Sequence, residues 1–317
     1  MMVRTLAPIS MLLAAAGQAV AQPCTPHWET WGASGIAITT IVDWLQPVAT
    51  PSGPGLYVSG EFTSAGGTPA SSVALWNGSS WSPLGLGITG PGGSTTIGPN
   101  VTSLALFDDG SGQKLYAGGW YRFAGGQLAN GISSWNGSAW TTYNGGLTYS
   151  GLPQINLMTT FNDGSGPALY AGGSFTAIAG VPARGIARWN GSAWAPVGNV
   201  VTTQTSPWVV ALTIFDDGTG PALYAGGQFS AIGGVSAANV AKWTGTTWAP
   251  LGDGLNGFVT CLGVYNDGAG PSLYAGGSFS GSGATPLSRV ARWTGFCSDH
   301  VTCCEVAGTP TSRWLRW

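Results

Sequence analysis

"INLMTTFNDGSGPALYAGGSFTAIAGVPARGIARWNGSAWAPVG", residues 155–198, is the stretch that decides the fold. Apolar and polar residues alternate in short bursts, and each burst ends at Gly, Pro, Asn or Asp. Such period-two alternation marks short strands separated by turns. "INLMTTF" reads as a first strand, "LYAGGSF" as a second, "GIARW" as a third and "AWAPVG" as a fourth. "NDGSGPA" is the first turn and "TAIAGVPA" a loop. "NGS" reads as a type I′ hairpin turn, since Asn-Gly tolerates the positive φ that such turns need.

The stretch recurs. Leu-Tyr pairs stand at 56–57, 115–116, 169–170, 223–224 and 273–274, with the tyrosines 59, 54, 54 and 50 residues apart. Four antiparallel strands in about 50 residues form one blade of a β-propeller. A single blade cannot bury both faces, so neighbours must stack. The composition agrees: of 317 residues 53 are Gly and 16 Trp, and only 7% are charged. Glycine costs about 1 kcal/mol at each helical position, which disfavours long helices. The fold class is therefore all-β, a propeller of five four-stranded blades.

Between first and second strands stand Asp108-Asp109, Asn162-Asp163, Asp216-Asp217 and Asn266-Asp267. Asx side chains bond nearby backbone N–H groups in turns, and the following Gly accepts positive φ. A calcium loop needs about six to eight oxygens; this one offers at most two carboxylates. The turn reading outweighs a calcium loop or a catalytic pair. It predicts that Asp109→Asn costs little and Gly110→Val more.

Gly172-Gly173, Trp189 and Trp194 form a pattern repeated by Gly118-Gly119, Trp135 and Trp140, and by Gly226-Gly227, Trp243 and Trp248. Double glycine, then an aromatic on the third strand and Trp on the fourth, resembles the kelch repeat. Kelch usually has Tyr where Trp189 stands, with its two aromatics six positions apart rather than five. The first copy here has Ser59-Gly60. The resemblance covers residues 27–296 and implies a propeller of the Gly-rich kind found in exported bacterial proteins. Propellers of this kind include scaffolds, binders and enzymes, so function must come from the site. The galactose-oxidase relatives of the fold hold copper with two His and two Tyr, one Tyr cross-linked to Cys. No such set stands at loop positions, and no cofactor is expected.

The fourth strand reads W-x-x-L-G at Trp81–Gly85 and Trp248–Gly252, with Val197 for Leu at Trp194–Gly198. The copy at Trp140 is looser, with Tyr143 in the Leu place. The fifth unit stops at "VARWTGFCSDH" without a fourth strand. "WETWG", 28–32, supplies the missing pattern, so residues 27–33 are expected to complete the last blade. That closure would leave no unpaired edge. Cys24 precedes the closing strand and Cys297 follows the last third strand. A bridge between them would close a loop of about 270 residues, on the order of 5 kcal/mol by the chain-entropy argument. Cys303 and Cys304 compete as partners, and Cys297, His300, Cys303 and Cys304 imitate a zinc site; in an exported chain disulfides are favoured. Cys261, on a first strand, reads as a free buried thiol.

"MMVR" followed by "TLAPISMLLAAAGQAV" and Ala19-Val20-Ala21 reads as a signal peptide over 1–21, with the mature chain starting at Gln22. Pro23 before Cys24 argues against a lipid anchor. The expected layout is a propeller over 22–297 and an irregular Cys-containing tail over 298–317. A secreted, cell-surface or periplasmic location follows. No apolar run spans a membrane. Net charge is −2 and Lys114 and Lys242 are the only lysines, so nucleic acid is not an expected partner.

Ten tryptophans, among them Trp28, Trp76 and Trp293, occupy repeat positions and read as blade packing. Trp44, Trp120 and Trp208 fall outside the pattern and are candidates for exposed aromatics. Arg188, Lys242 and Arg292 share one slot before the third-strand Trp and read as a ladder of cations between blades, paired with turn acids. Arg122, Arg184 and Arg289 lie by the loops joining second and third strands, at the end crowded by fourth-to-first loops such as "GITGPGGSTTIGPN". That end is the natural binding face, and these three arginines with the three tryptophans are its candidates. Glu29, Asp43, Glu61 and Asp253 read as isolated acids, and His27 and His300 lie in terminal segments. No catalytic or metal-binding set emerges. The sequons at Asn77, Asn136 and Asn190 are explained by hairpin chemistry, unlike the fourth at Asn100. The reading is a monomeric, exported, non-catalytic binding module for an extracellular protein or carbohydrate. The alternatives are a propeller hydrolase or lyase acting on an extracellular polymer, and a purely structural surface protein.

Overall fold

The structure, a computed structural model, describes residues 41–91, 98–148, 153–203 and 207–294. The signal peptide, the closing strand 27–33, Cys24, Cys297, Cys303, Cys304, both histidines and the tail lie outside the described residues.

The described chain is all-β, without a helix, and its strands pair antiparallel in small sheets. Five of these sheets repeat one plan. Unit 1 comprises Ile41–Thr50, Gly53–Glu61, Val73–Trp76 and Trp81–Pro83, paired in chain order. Unit 2 comprises Asn100–Asp108, Gln113–Ala124, Ile132–Trp135 and Trp140–Thr142. Unit 3 comprises Gln154–Asn162, Pro167–Ser174, Ile186–Trp189 and Trp194–Pro196. Unit 4 comprises Trp208–Asp216, Pro221–Gln228, Val240–Trp243 and Trp248–Pro250. Unit 5 has three described strands, Val259–Asn266, Pro271–Gly277 and Val290–Trp293.

The double glycine has two separate physical causes. Each first strand carries a bulge opposite it, as between Ile155 and Leu157. The second glycine admits that bulge: a Cβ at Gly173 would lie 2.2 Å from the Gln154 carbonyl oxygen, and one at Gly227 2.0 Å from that of Trp208. The first glycine admits the next unit. A Cβ at Gly118 would meet Ile155 at 2.7 Å, one at Gly172 would meet Val209 at 2.9 Å and one at Gly226 would meet Val259 at 2.7 Å. Ile155, Val209 and Val259 are fully buried. In unit 1 Ser59 replaces the first glycine and donates to the Val101 carbonyl at 2.9 Å.

The core therefore lies between units rather than inside them. One cluster joins Phe107 and Tyr116 of unit 2 to Ile155, Leu169 and Trp189 of unit 3; another joins Tyr170 and Ile186 to Val209, Leu223 and Trp248. Paired tryptophans cap the outer edge. Trp189 and Trp194 face each other across their hairpin with ring centroids 5.6 Å apart, and Trp243 and Trp248 at 5.4 Å. The fourth-strand Trp also reaches back one unit. Trp140 Nε1 donates to the Leu84 carbonyl at 2.7 Å, and Trp248 Nε1 to that of Val197. Trp194 finds Tyr143 in that place, meets it edge-on and leaves Nε1 unpaired. This is the consequence of the looser Trp140 copy.

The "NGS" hairpin differs from the type I′ expectation. Positive φ falls on Gly78 (97°), not on Asn77, whose Oδ1 accepts the Ser79 and Ser80 N–H groups at 3.0 and 2.8 Å. Asn136 and Asn190 do the same. It is an Asx turn, in which the side chain rather than a left-handed Asn stabilises the loop.

First strands of consecutive units pack side by side from unit 1 to unit 5, and no comparable packing joins units 5 and 1 among the described residues. The two end faces are open. Ile41, Val42 and Leu45 are exposed at one, Val264, Tyr265 and Val290 at the other. Cys261, expected to be buried, is a free and exposed thiol for this reason; its counterparts Ser103 and Ala211 are covered by the following unit.

Candidate functional site

In "FDDG" and its copies, the two Asx residues do different work. The first makes the turn: Asp108 Oδ1 accepts the N–H groups of Gly110 and Gly112 at 2.9 and 3.1 Å, and Asn162 and Asp216 repeat this. The second is a counter-ion. Asp163 Oδ2 takes Arg188 at 2.7 Å and the Tyr170 hydroxyl at 2.6 Å, and its side chain is fully enclosed. Asp217 takes Lys242 at 2.6 Å and Tyr224 at 3.0 Å. Asp109 takes Lys114 at 2.5 Å, from the second strand, because Ser134 stands in the third-strand slot.

These ion pairs lie within units, not between them as the ladder reading had it. What crosses the joint is the next unit's tryptophan: Trp189 Nε1 donates to the Tyr116 hydroxyl at 3.0 Å, and Trp243 Nε1 to Asp163 Oδ2 at 3.3 Å. Burial alone would raise the Asp109 carboxyl, but hydrogen bonds from Lys114 and Ser111 outweigh it and hold it at about 2. Asp217 is likewise held at about 2 against burial, by Lys242 and Thr219. The pairing argues for a cost at Asp109→Asn in place of the small effect that the turn reading alone predicts, because removing that charge leaves Lys114 without its counter-ion. The signal was in the sequence, since Asn substitutes only at the first position. The role assigned is structural, and no cluster of three metal-ligating side chains occurs among the described residues.

Asp43 and Glu61, read as isolated, are neighbours. Ile41 pairs with Glu61 in register, and Asp43 is the bulge residue between Val42 and Trp44. Its counterparts Thr102 and Asn156 donate to the next unit's carbonyls, those of Ile155 and Val209. A carboxylate cannot donate, and Asp43 Oδ2 is buried without a hydrogen bond. Burial, then Glu61, raises the Asp43 carboxyl above its ordinary value. Strand register brought this pair together across a hairpin, which spacing alone did not reveal.

The six ligand-face candidates do not form one site. Trp44 is half-buried and packs on the joint between units 1 and 2. Trp120 is buried, at 6% exposure, because unit 2's second strand runs on to Ala124 and is covered by Ile88–Pro91. Arg122 is exposed and lies over Phe123, 5.4 Å from the ring centroid. Arg184 donates from Nε to the Val200 carbonyl at 3.0 Å. Arg289 is exposed and occupies the left-handed corner before the third strand, φ 63°, where Asn239 stands in unit 4. Among the described tryptophans Trp208 alone is exposed, at 39%, and its indole stacks on Phe258 with centroids 5.3 Å apart and planes 18° from parallel. Phe258 lines a cleft of about 310 Å³ between units 4 and 5, together with Gln228, Asn239, Asn256 and Thr203.

The chain matches no family model, no curated protein and no solved structure.

Proposed function

We propose that the chain is an exported, kelch-like β-propeller of five four-stranded blades, closed by residues 27–33, that binds an extracellular protein or glycan without transforming it. Closure is supported by the shape of the two end faces. Gly276 offers the notch that Gly118, Gly172 and Gly226 offer, and among the described residues only Cys261 of its own unit stands near it. Val42 occupies the position of Ile155, Val209 and Val259, opposite the second glycine, and is 38% exposed. The end faces are the two halves of the joint that already recurs inside the molecule. Deleting residues 22–33 should lower the melting temperature sharply, and peptide mapping without reductant should find Cys24 oxidised, with Cys297 the favoured partner. An unchanged melting temperature overturns closure.

The observation that carries the binding reading is the exposed indole of Trp208, stacked on the half-buried Phe258 that lines the cleft. An exposed indole serves recognition better than stability, because its apolar surface remains in water. Protein and glycan arrays probed with the purified chain test it; turnover of a polymer without retention on either array overturns it. A second reading, a hydrolase or lyase, rests on Asp43 and Glu61. A raised carboxyl beside a second carboxylate is the arrangement of a general acid with its partner. Asp43→Asn should abolish any such turnover.

A further inference from the structure

We propose that the exposed indole of Trp208 and the adjoining cleft between units 4 and 5 bind a neutral carbohydrate, with Trp208, stacked on the cleft residue Phe258 without itself lining the cleft, as the platform and Gln228 as the hydrogen-bonding arm. The proposal rests on the binding-module reading and gives it a ligand class.

The start of the first strand and the residue after the double glycine face each other in every unit. These pairs are Ile41 with Glu61, Asn100 with Trp120, Gln154 with Ser174 and Trp208 with Gln228; Phe258 and Ser278 hold the place in unit 5. Only units 4 and 5 put two aromatics at adjacent strand starts, and the two rings stack there. Phe258 fixes the plane of the indole, so little rotational freedom is lost when a ligand lands on it. The negative face of an indole attracts weakly positive C–H groups, and the axial C–H face of a pyranose presents a flat row of them.

The walls match the other half of a sugar. Gln228 stands beside Trp208 in register, and its amide makes no hydrogen bond within the described residues. An amide both donates and accepts, as a pair of sugar hydroxyls does. Asn239 and Asn256 are already committed: Asn239 bonds the Phe229 N–H and the Leu255 carbonyl, Asn256 the Ser280 N–H and hydroxyl. They hold the wall still and leave Gln228 and Thr203 to the ligand. Among the described residues no charged side chain lines the cleft, which gives no counter-ion to a sulfated or uronic sugar.

Calorimetric titration of the purified chain with neutral hexasaccharides of glucose, xylose, mannose and N-acetylglucosamine tests the site. At least one should bind. Trp208→Ala should weaken it tenfold or more, Trp208→Phe should recover part of the loss, and Gln228→Ala should weaken it about threefold to fivefold. Melting temperatures of the variants separate a loss of binding from the loss of packing on Phe258. Binding that Trp208→Ala leaves intact overturns this site and spares the binding-module reading. Failure of every neutral sugar overturns the carbohydrate assignment; retention of a protein on the array would then show that the module reading stands without it.

Discussion

Units 3 and 5 carry almost the same words, "NDGSGPALYAGGSF" at 162–175 and "NDGAGPSLYAGGSF" at 266–279, yet they live in different surroundings. Their backbones agree: the same turn bonds form at Asn162 and Asn266, and the same bulge lies opposite the double glycine. Their burial does not. The Asp163 side chain is sealed at 0% exposure, whereas that of Asp267 is 35% exposed. The difference is the neighbour. Trp243 and the hairpin glycine Gly245 of unit 4 lie against Asp163, and no following unit lies against Asp267 among the described residues. The repeat motif sets local backbone geometry; the joint sets burial, and with it most of the energy.

The largest effect should come from breaking the sealed pair. Asp163→Ala leaves Arg188 without its partner, which for a buried pair costs about 3–5 kcal/mol. An exposed pair is worth under about 1 kcal/mol, so in an open array Asp267→Ala would be mild. The closed ring predicts the opposite, a cost for Asp267→Ala near that of Asp163→Ala, because unit 1 would then cover the turn as unit 4 covers that of unit 3. Urea denaturation of both variants decides. Acid should act on the same pairs. Asp109 and Asp217 are held at about 2, below the ordinary 3.8. A depressed carboxyl contributes stability above its unfolded value and loses it as pH falls toward the folded one. Stability should therefore hold down to about pH 4 and drop between there and pH 2, and Asp217→Asn should flatten that drop.

A smaller effect tests the joint through its apolar half. Val209→Ala, fully buried in the notch of Gly172, should cost about 2 kcal/mol, since the emptied space collapses only in part. Val42→Ala should match it if Val42 fills the notch of Gly276. A cost near zero, with Cys261 still open to alkylation, would break the ring and leave unit 5 an end.

What the sequence made legible follows the same division. Strands, their order and the unit length are local properties, written in alternation and turn residues, and "INLMTTF", "LYAGGSF" and "GIARW" lie within a residue or two of the observed strands. Properties set by a neighbour were not legible. Cys261 sits in a strand pattern identical to that of buried Ser103, and only the absence of a following unit among the described residues exposes it. Trp120 stands outside the repeat pattern because the repeat does not extend that far; an elongated second strand buries it. Asp43 and Glu61 stand 18 residues apart and meet only through register. Trp208 lies outside the repeat pattern and is exposed, but its stack on Phe258 needed the placement of two units side by side.

The smallest effect separates the two acids of one turn. Asp108 accepts two backbone N–H groups through Oδ1, work that Asn162 performs in unit 3 with its amide oxygen. Asp108→Asn should therefore change stability by no more than about 0.5 kcal/mol, the range of a neutral surface substitution. Asp109→Asn, one residue on, removes the partner of Lys114 and a hydrogen-bond acceptor of Tyr116, and should cost severalfold more. If instead calcium bound this turn, both substitutions would remove a carboxylate charge from the site and weaken binding. Calcium would then raise the melting temperature of the parent more than that of either variant. Melting curves of the parent and both variants, with calcium and with chelator, distinguish the two. Equal losses for Asp108→Asn and Asp109→Asn, together with a calcium-dependent rise in the parent, would make the paired acids a metal site; unequal losses without that rise leave one a turn and the other a buried counter-ion.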